Sequence, residues 1–193
     1  EAKNVAPHSL LLDGQQRMTS LYQVTLRGKL VETVTPKNKK VKRWFYIDIR
    51  KALDATVDRE EAIIGVPEDR VIPPAFGREF ALDLSTTKKE YAALMYPVTQ
   101  VFDWDHWQDG FGEHWRGDEH EAVRETFRAF KRQVLENFKY YRVPVISLDH
   151  STSKEAVCVV FEKVNTGGKP LDAFELVTAM YAADGHELRK DWY

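Results

Sequence analysis

The sequence predicts an α+β fold, in which a small mixed or mostly antiparallel sheet is followed by a helical lobe from about residue 118. Short runs rich in aromatic and β-branched residues, bounded by turn residues, lie before that point and are typical of strands. After it, apolar residues recur at the spacing of one helix face. The 193 residues suffice for one substantial core, and we treat them as a single domain with two lobes, 1–117 and 118–193.

The composition excludes several classes of protein. The 28 basic and 30 acidic residues give a formal charge of -2, so no overall positive field draws the chain to nucleic acid. Cys158 is the only cysteine, which excludes an intrachain disulfide and favours a reducing compartment. The sequence has neither a long apolar run nor a leader-like amino terminus, so we expect a soluble, cytoplasmic protein without a membrane partner. Its first residue is Glu1, which indicates a piece of a longer polypeptide.

The first predicted elements are a buried strand and a helix, joined by a turn at Asp13-Gly14. Residues 9–12 form a short apolar run that is stopped by this turn, which is typical of a buried strand. From Gln15 onward the spacing predicts a helix with one buried face, ending near Gly28. The positions on that face are Met18, Leu21, Tyr22, Thr25 and Leu26.

Strands dominate the next predicted elements. The run "VKRWFYIDI" at residues 41–49 is the strongest strand prediction in the chain. Further short strands are expected in "AIIGV", "EFALDL" and "YPVTQVF". The aromatic and acidic stretch at residues 103–120 predicts a loop or short helices, whose tryptophans pack onto the core.

The helical lobe begins with a long amphipathic helix that is predicted to end near Lys139. The run "YYRVPVISL" then predicts a strand with an irregular or edge position at Pro144. Two more helices are predicted, one on each side of "TGGKPL". The buried face of the long helix is expected to comprise Val123, Phe127, Phe130, Val134 and Phe138.

Residues 13–17, "DGQQR", allow two interpretations. Asp13 and Gln16 have the spacing of a capping box, which needs no ligand. Alternatively, a helix that starts after a glycine presents free backbone N–H groups to an anion, and Arg17 adds a bidentate fork for phosphate. In that case Asp13 would bind a divalent metal such as Mg²⁺ or orient a water molecule. The residues alone leave both interpretations open.

A second polar motif follows the predicted helix near residue 160. Its glycines and Pro170 are typical of a helix stop. They also allow the backbone to approach a ligand closely, although the spacing is not that of a P-loop. The residues of this motif that could contact a ligand are Asn165, Thr166, Gly167, Gly168 and Lys169.

Taken together, "LLLDGQQRMTSLY" and "FEKVNTGGKPLDAFEL" resemble the two signature motifs of the GmrSD-type amino-terminal domain family. That family occurs in modification-dependent restriction enzymes and other bacterial phage-defence proteins, and it is similar in fold to ParB and sulfiredoxin. The resemblance implies a ParB/sulfiredoxin-like core and an NTPase that regulates DNA restriction through a nuclease domain or subunit. It also implies that the amino-terminal part of the family domain, before residue 9, is missing.

The resemblance also assigns roles to individual residues. It implies a site for nucleoside-triphosphate hydrolysis, in which Mg²⁺ would be held by Asp13. The residues implied as catalytic are Asp13, Gln15, Gln16 and Arg17. The residues implied as nucleotide-binding are Gly14, Thr19, Asn165, Thr166, Gly167, Gly168 and Lys169.

Two other functions are weighed against this one. The first is a DNA-binding module that recognises modified DNA through a basic patch beside Trp44, although a solvated hairpin turn explains the same residues. The second is a non-catalytic scaffold for a nuclease partner. Whether the chain forms a homo-oligomer is left open. The residues of the basic patch are Lys39, Lys40, Lys42 and Arg43.

Overall fold

The computed structural model describes residues 9, 11, 13–74, 82–149, 151–153, 156, 157, 159 and 160. The chain divides into two compact units, residues 1–141 and 142–193, and most of the described residues belong to the first. Helices and small antiparallel sheets confirm the predicted α+β class. The predicted single domain with lobes 1–117 and 118–193 stays a prediction.

Strand β2 is the centre of the main sheet. The strands are β1 (Val31–Val34), β2 (Lys40–Asp48), β3 (Ile63–Val66), β4 (Val71–Ile72), β5 (Leu82–Asp83) and β6 (Met95–Pro97). β2 pairs antiparallel with β1, β3 and β6, and β4 pairs antiparallel with β5 in a second, two-stranded sheet. These strands confirm the prediction at residues 41–49 and, in part, the shorter strands predicted after it.

The aromatic sequence of β2 is explained by burial on both of its faces. Phe45 and Ile47 pack into the larger hydrophobic cluster, whereas Trp44 and Tyr46 pack into the smaller one. Successive side chains of a strand point to opposite faces, so an unbroken run of large apolar residues suits a strand that is covered on both sides. β2 therefore divides the two clusters.

The helices surround the larger cluster. They are α1 (Gln15–Thr25), α2 (Ile49–Leu53), α3 (Thr87–Ala93), α4 (Asp105–His114), α5 (Glu121–Phe130) and α6 (Glu136–Tyr140), with short 3-10 helices at Arg59–Ala62, Val98–Gln100 and Asp118–His120. Trp107 of α4 lies at the centre, with the ring of Tyr96 at 4.8 Å and that of Phe127 at 5.3 Å. Trp104 and Trp107 are buried, and Trp115 packs against the cluster, which confirms the predicted role of the tryptophans.

The predicted long helix is present over residues 121–140 but contains a π-helical turn, Lys131–Leu135. This turn adds a residue to the helical period. Phe130 and Leu135 are both fully buried, whereas Val134, the predicted core position, is only partly buried. Phe138 is exposed, contrary to the prediction. The prediction assumed a regular α-helical period, so it could not include the shift in buried positions that the π-helical turn causes.

One prediction for the amino-terminal segment is wrong, and another is confirmed only in part. Leu11 is exposed and not in a strand, so the predicted strand at residues 9–12 is not found in its described residues. α1 is present and ends before Gly28, which has φ 62°. Thr25, one of the predicted face positions, is the buried residue of α1, and Val24, outside the predicted face, packs against the larger cluster. The exposed residues of that predicted face are Met18, Leu21, Tyr22 and Leu26.

The strand predicted from "YYRVPVISL" is also wrong. Residues 141–149 have no regular structure, and their apolar side chains, such as Val145 and Ile146, are exposed. An apolar, β-branched run becomes a strand only when its backbone finds a partner, and Pro144 removes one donor. Ala156, Val157, Val159 and Val160 are helical, whereas the later predicted helix lies outside the described residues.

Candidate functional site

The candidate site lies where α1 begins. Gly14 is the N-cap residue, with φ 80° and ψ 9°, and no side chain of the described residues caps the helix. The capping box predicted for Asp13 and Gln16 is therefore wrong. A left-handed conformation at this position is readily adopted by glycine, and it places Asp13 one residue outside the helix. The first bond within the helix runs from the Met18 amide to the Gly14 carbonyl, at 2.9 Å.

Within the described part of the chain, the backbone N–H groups of the first turn have no partner. Gln15, Gln16 and Arg17 precede the first amide that bonds within the helix, and this end carries the positive pole of the helix dipole. α1 also has no acidic residue in its first turn. These three N–H groups can donate hydrogen bonds to a negatively charged ligand without displacing a side-chain cap.

The side chains of Gln15 and Arg17 contact residues that precede α1. Arg17 Nη2 lies 2.9 Å from Asp13 Oδ2, in an ion pair whose side chains are 76% and 49% exposed. Gln15 Nε2 donates a 2.7 Å hydrogen bond to the Leu11 carbonyl. Gln16 and Thr19 are exposed. Three amides, a guanidinium and a carboxylate thus lie within about one turn of helix, all on exposed residues.

Among the described residues, Asp13 is not part of a metal-binding cluster. Across the described residues, no group of three or more His, Cys, Asp or Glu side chains could hold a metal ion. A Mg²⁺ ion commonly takes one or two carboxylates and fills its other positions with phosphate oxygens and water. Asp13 fits that role only if a phosphate ligand is present.

The second predicted motif is not part of the described chain. Asn165, Thr166, Gly167, Gly168 and Lys169 all lie outside the described residues. Their assignment to nucleotide binding stays a prediction.

The predicted basic patch is on the hairpin formed by β1 and β2. Lys39, Lys40 and Lys42 are exposed. Arg43, in contrast, donates a 2.7 Å hydrogen bond from Nη1 to the Gly65 carbonyl and so links β2 to β3. One face of the Trp44 ring is covered by Arg70, whose Cζ lies 5.0 Å from the ring centroid. The patch therefore offers three lysines, while Arg43 is already engaged.

A wide cleft of about 830 Å³ lies between α4 and α5, away from the residues of the candidate site. Several arginines line it, but Arg124 and Arg128 both form ion pairs with Glu121. Arg124 Nη1 also donates to the Trp115 carbonyl at 2.6 Å. These cations are engaged in holding the helices, so the cleft is a weaker candidate than the start of α1.

Sequence reasoning missed a buried carboxylate, Glu90 of α3, which is 3% exposed. Its Oε1 accepts a 2.8 Å hydrogen bond from the Tyr46 hydroxyl, and its Oε2 accepts one of 3.2 Å from Trp107 Nε1. Arg70 Nη1 lies 3.6 Å from Oε1. Burial, followed by the negative charge of Glu90, raises the pKa of Tyr46 far above its ordinary value, so the hydroxyl remains a donor.

The described residues contain no helix long and apolar enough to span a membrane.

Comparison with known proteins agrees with the family resemblance of the sequence. Residues 1–182 match the family described as GmrSD restriction endonuclease, N-terminal domain. An uncharacterized protein of Methanocaldococcus jannaschii is 25% identical over 180 residues, which is 91% of this chain but 28% of that protein. The chain thus spans little more than a quarter of the length of this relative. No solved structure matches the chain significantly. Because the family match covers most of its length, the chain belongs to the GmrSD restriction endonuclease N-terminal domain family.

Proposed function

We propose that this domain binds and hydrolyses a nucleoside triphosphate at the start of α1, and thereby regulates DNA restriction by a nuclease domain or subunit. The observation that supports this most is the uncapped first turn of α1 beside Arg17. Free amides and a guanidinium at one helix end match the charge and geometry of phosphate oxygens. Family membership supports the link to restriction.

The ion pair between Arg17 and Asp13 suggests how binding would proceed. An exposed pair of this kind contributes little free energy, because solvent and salt screen it. A triphosphate at the free amides of Gln15 and Gln16 would bring more negative charge to Arg17 than Asp13 does. Arg17 would then exchange its carboxylate partner for a phosphate oxygen.

Release of Asp13 would give its carboxylate a second role. The freed group would lie beside the bound phosphates, where it could orient the attacking water or contribute one ligand to Mg²⁺. Attack of water at the terminal phosphorus breaks the bond to the bridging oxygen and releases phosphate. Arg17 would stabilise the charge that spreads over the phosphoryl oxygens in the transition state.

A thermal-shift titration of the full-length protein with GTP, ATP and CTP plus Mg²⁺ tests this proposal. A nucleotide at 100 times its Kd stabilises the folded state by about 2.7 kcal/mol. We expect this shift in the unmodified protein and its loss in Arg17→Ala. Arg27→Ala, an exposed arginine just beyond the other end of α1, is the matched control and should keep the shift.

The same samples should be assayed for phosphate release. Arg17→Ala should abolish both the shift and the release, while Arg27→Ala preserves both. A nucleotide response that is equal in the two variants, or absent from the unmodified protein, would contradict the proposed site.

The three exposed lysines of the β1–β2 hairpin support a second candidate function, direct binding of DNA. Replacement of Lys39, Lys40 and Lys42 by Gln should then weaken binding of a modified duplex and reduce its salt dependence. Unchanged DNA affinity in this triple variant would exclude the hairpin as the contact surface.

A further inference from the structure

Two side chains of α1 hold the turn that precedes the helix. Gln15 Nε2 donates to the Leu11 carbonyl at 2.7 Å, and Arg17 Nη2 donates to Asp13 Oδ2 at 2.9 Å. Among the described residues, no other side chain is hydrogen-bonded to residues 11–14. The turn is therefore held at two points, one by a neutral hydrogen bond and the other by an ion pair.

Nucleotide binding would remove the ion pair but not the neutral bond. In the proposed function Arg17 exchanges Asp13 for a phosphate oxygen, so this contact is lost when the carboxylate is needed for hydrolysis. The Gln15 amide has two N–H donors, of which the Leu11 carbonyl takes one. The amide can therefore keep this carbonyl while phosphate is bound. The bond from Gln15 to Leu11 then remains as the side-chain contact that holds the turn.

This bond closes a short loop with Asp13 at its centre. Gln15 is the first residue of α1, and Leu11 lies four residues before it. A chain of so few residues has a short reach, so the Asp13 carboxylate stays near the first turn of α1 while the bond is present. Both bonded residues are exposed, and a solvent-exposed neutral bond contributes little free energy. Its loss should therefore loosen the turn without unfolding the helix.

We infer that Gln15 is a positioning residue, whose bond to the Leu11 carbonyl keeps the Asp13 carboxylate beside the bound phosphates during hydrolysis. This inference rests on the proposed function, because it assigns a role within the same site. The family resemblance implies a catalytic role for Gln15. Positioning explains the need for an amide at this residue through a contact present in the nucleotide-free protein.

Gln15→Met tests the inference, because methionine has a similar length but no N–H donor. Nucleotide affinity and the rate of phosphate release at saturating ATP or GTP, with Mg²⁺, are measured in the full-length protein. We expect the Kd to stay within about twofold, because the backbone amides and Arg17 are intact. The rate of release should fall about three- to tenfold, the size of effect expected from one neutral hydrogen bond. A residue that only stabilised α1 would not separate rate from affinity in this way.

A second comparison, in the Asp13→Asn background, distinguishes positioning from direct contact with the nucleotide. If Gln15 acts through Asp13, then Gln15→Met should lower the rate of release no further once the carboxylate is absent. If Gln15→Met lowers the rate equally in both backgrounds, Gln15 acts independently of Asp13 and the inference is overturned.

Gln23→Met is the matched control, because Gln23 lies on the same helix about two turns beyond the proposed site. It should keep both the affinity and the rate of the unmodified protein. Phosphate release at the unmodified rate in Gln15→Met would exclude the positioning role and leave the proposed function intact. If the unmodified protein neither binds nor hydrolyses nucleotide, the proposed function fails and this inference fails with it.

Discussion

The hydroxyl of Tyr46 donates a 2.8 Å hydrogen bond to the carboxylate of Glu90 inside the protein. Tyr46 belongs to the smaller hydrophobic cluster, whereas Trp107, which donates to the other oxygen of Glu90, belongs to the larger one. A single buried carboxylate therefore joins the two clusters that β2 divides. Buried polar groups that are fully hydrogen-bonded specify how the elements around them pack.

Glu90→Ala is expected to destabilise the fold by about 3–5 kcal/mol, the cost of breaking a buried charged network. The change leaves the Tyr46 hydroxyl and the Trp107 Nε1–H group buried without their acceptor, and it removes the partner of Arg70. Urea unfolding of the full-length protein, followed by tryptophan fluorescence, measures the loss.

Glu90→Gln should cost less, about 1–3 kcal/mol, because it keeps one carbonyl acceptor but loses the charge. Glu60→Gln, at an exposed glutamate, should stay within about 0.5 kcal/mol of the unmodified protein. If Glu90→Ala proves as stable as Glu60→Gln, the carboxylate does not hold the two clusters together.

The sequence predicts β2 but not Glu90, and the difference has a physical cause. β2 is visible because its aromatic and β-branched residues are adjacent in the chain. Glu90 follows two lysines in a short polar helix, where a glutamate is ordinarily solvated. The partners that stabilise it, Tyr46 and Trp107, are 44 and 17 residues away. Contacts at such separations are created by the fold.

Two glycines of α4 should respond in opposite ways to alanine. A Cβ at Gly112 meets nothing within 4 Å, so Gly112→Ala should stabilise the protein by up to about 1 kcal/mol through helix propensity. A Cβ at Gly110 would collide with the Tyr91 ring, which is packed against Trp107. Gly110→Ala should therefore destabilise by about 1–3 kcal/mol. Equal midpoints of thermal unfolding for the two variants would contradict this packing.

Stability at low pH should depend on the contact between Asp83 and Lys89. Hydrogen bonds from Lys89, and then from Ser85, lower the pKa of Asp83 from 3.8 to about 2. Because the pKa is lower in the folded state, the carboxylate stabilises the fold above about pH 4, and this contribution is lost as the pH falls toward 2. Lys89→Met should reduce stability at pH 6 and flatten the acid unfolding profile.

The matched control for this pH dependence is Lys88→Met, at the exposed neighbour of Lys89. Its acid unfolding profile should follow that of the unmodified protein between pH 2 and 6. Identical profiles for the two lysine variants would show that the contact with Lys89 does not stabilise the ionised form of Asp83.

At the candidate site, the sequence predicts the turn and the helix but not the role of each side chain. Asp13-Gly14 before an amphipathic run indicates a helix start, and α1 begins there. Spacing alone allows a capping role for Asp13. The left-handed backbone of Gly14 moves Asp13 outside the helix and directs its carboxylate to Arg17. The spacing of Asp13 and Gln16 in the sequence does not predict the backbone angle of Gly14.

Asp13→Asn should separate the structural and functional roles of the Asp13–Arg17 pair. The pair is exposed and joins residues four apart, so its loss should change the free energy of unfolding by less than about 0.5 kcal/mol. Under the proposed function, nucleotide still shifts the Tm because Arg17 is intact, but phosphate release falls by at least about tenfold. Arg27→Ala serves again as the control that preserves both. Phosphate release at the unmodified rate in Asp13→Asn would exclude a catalytic role for this carboxylate.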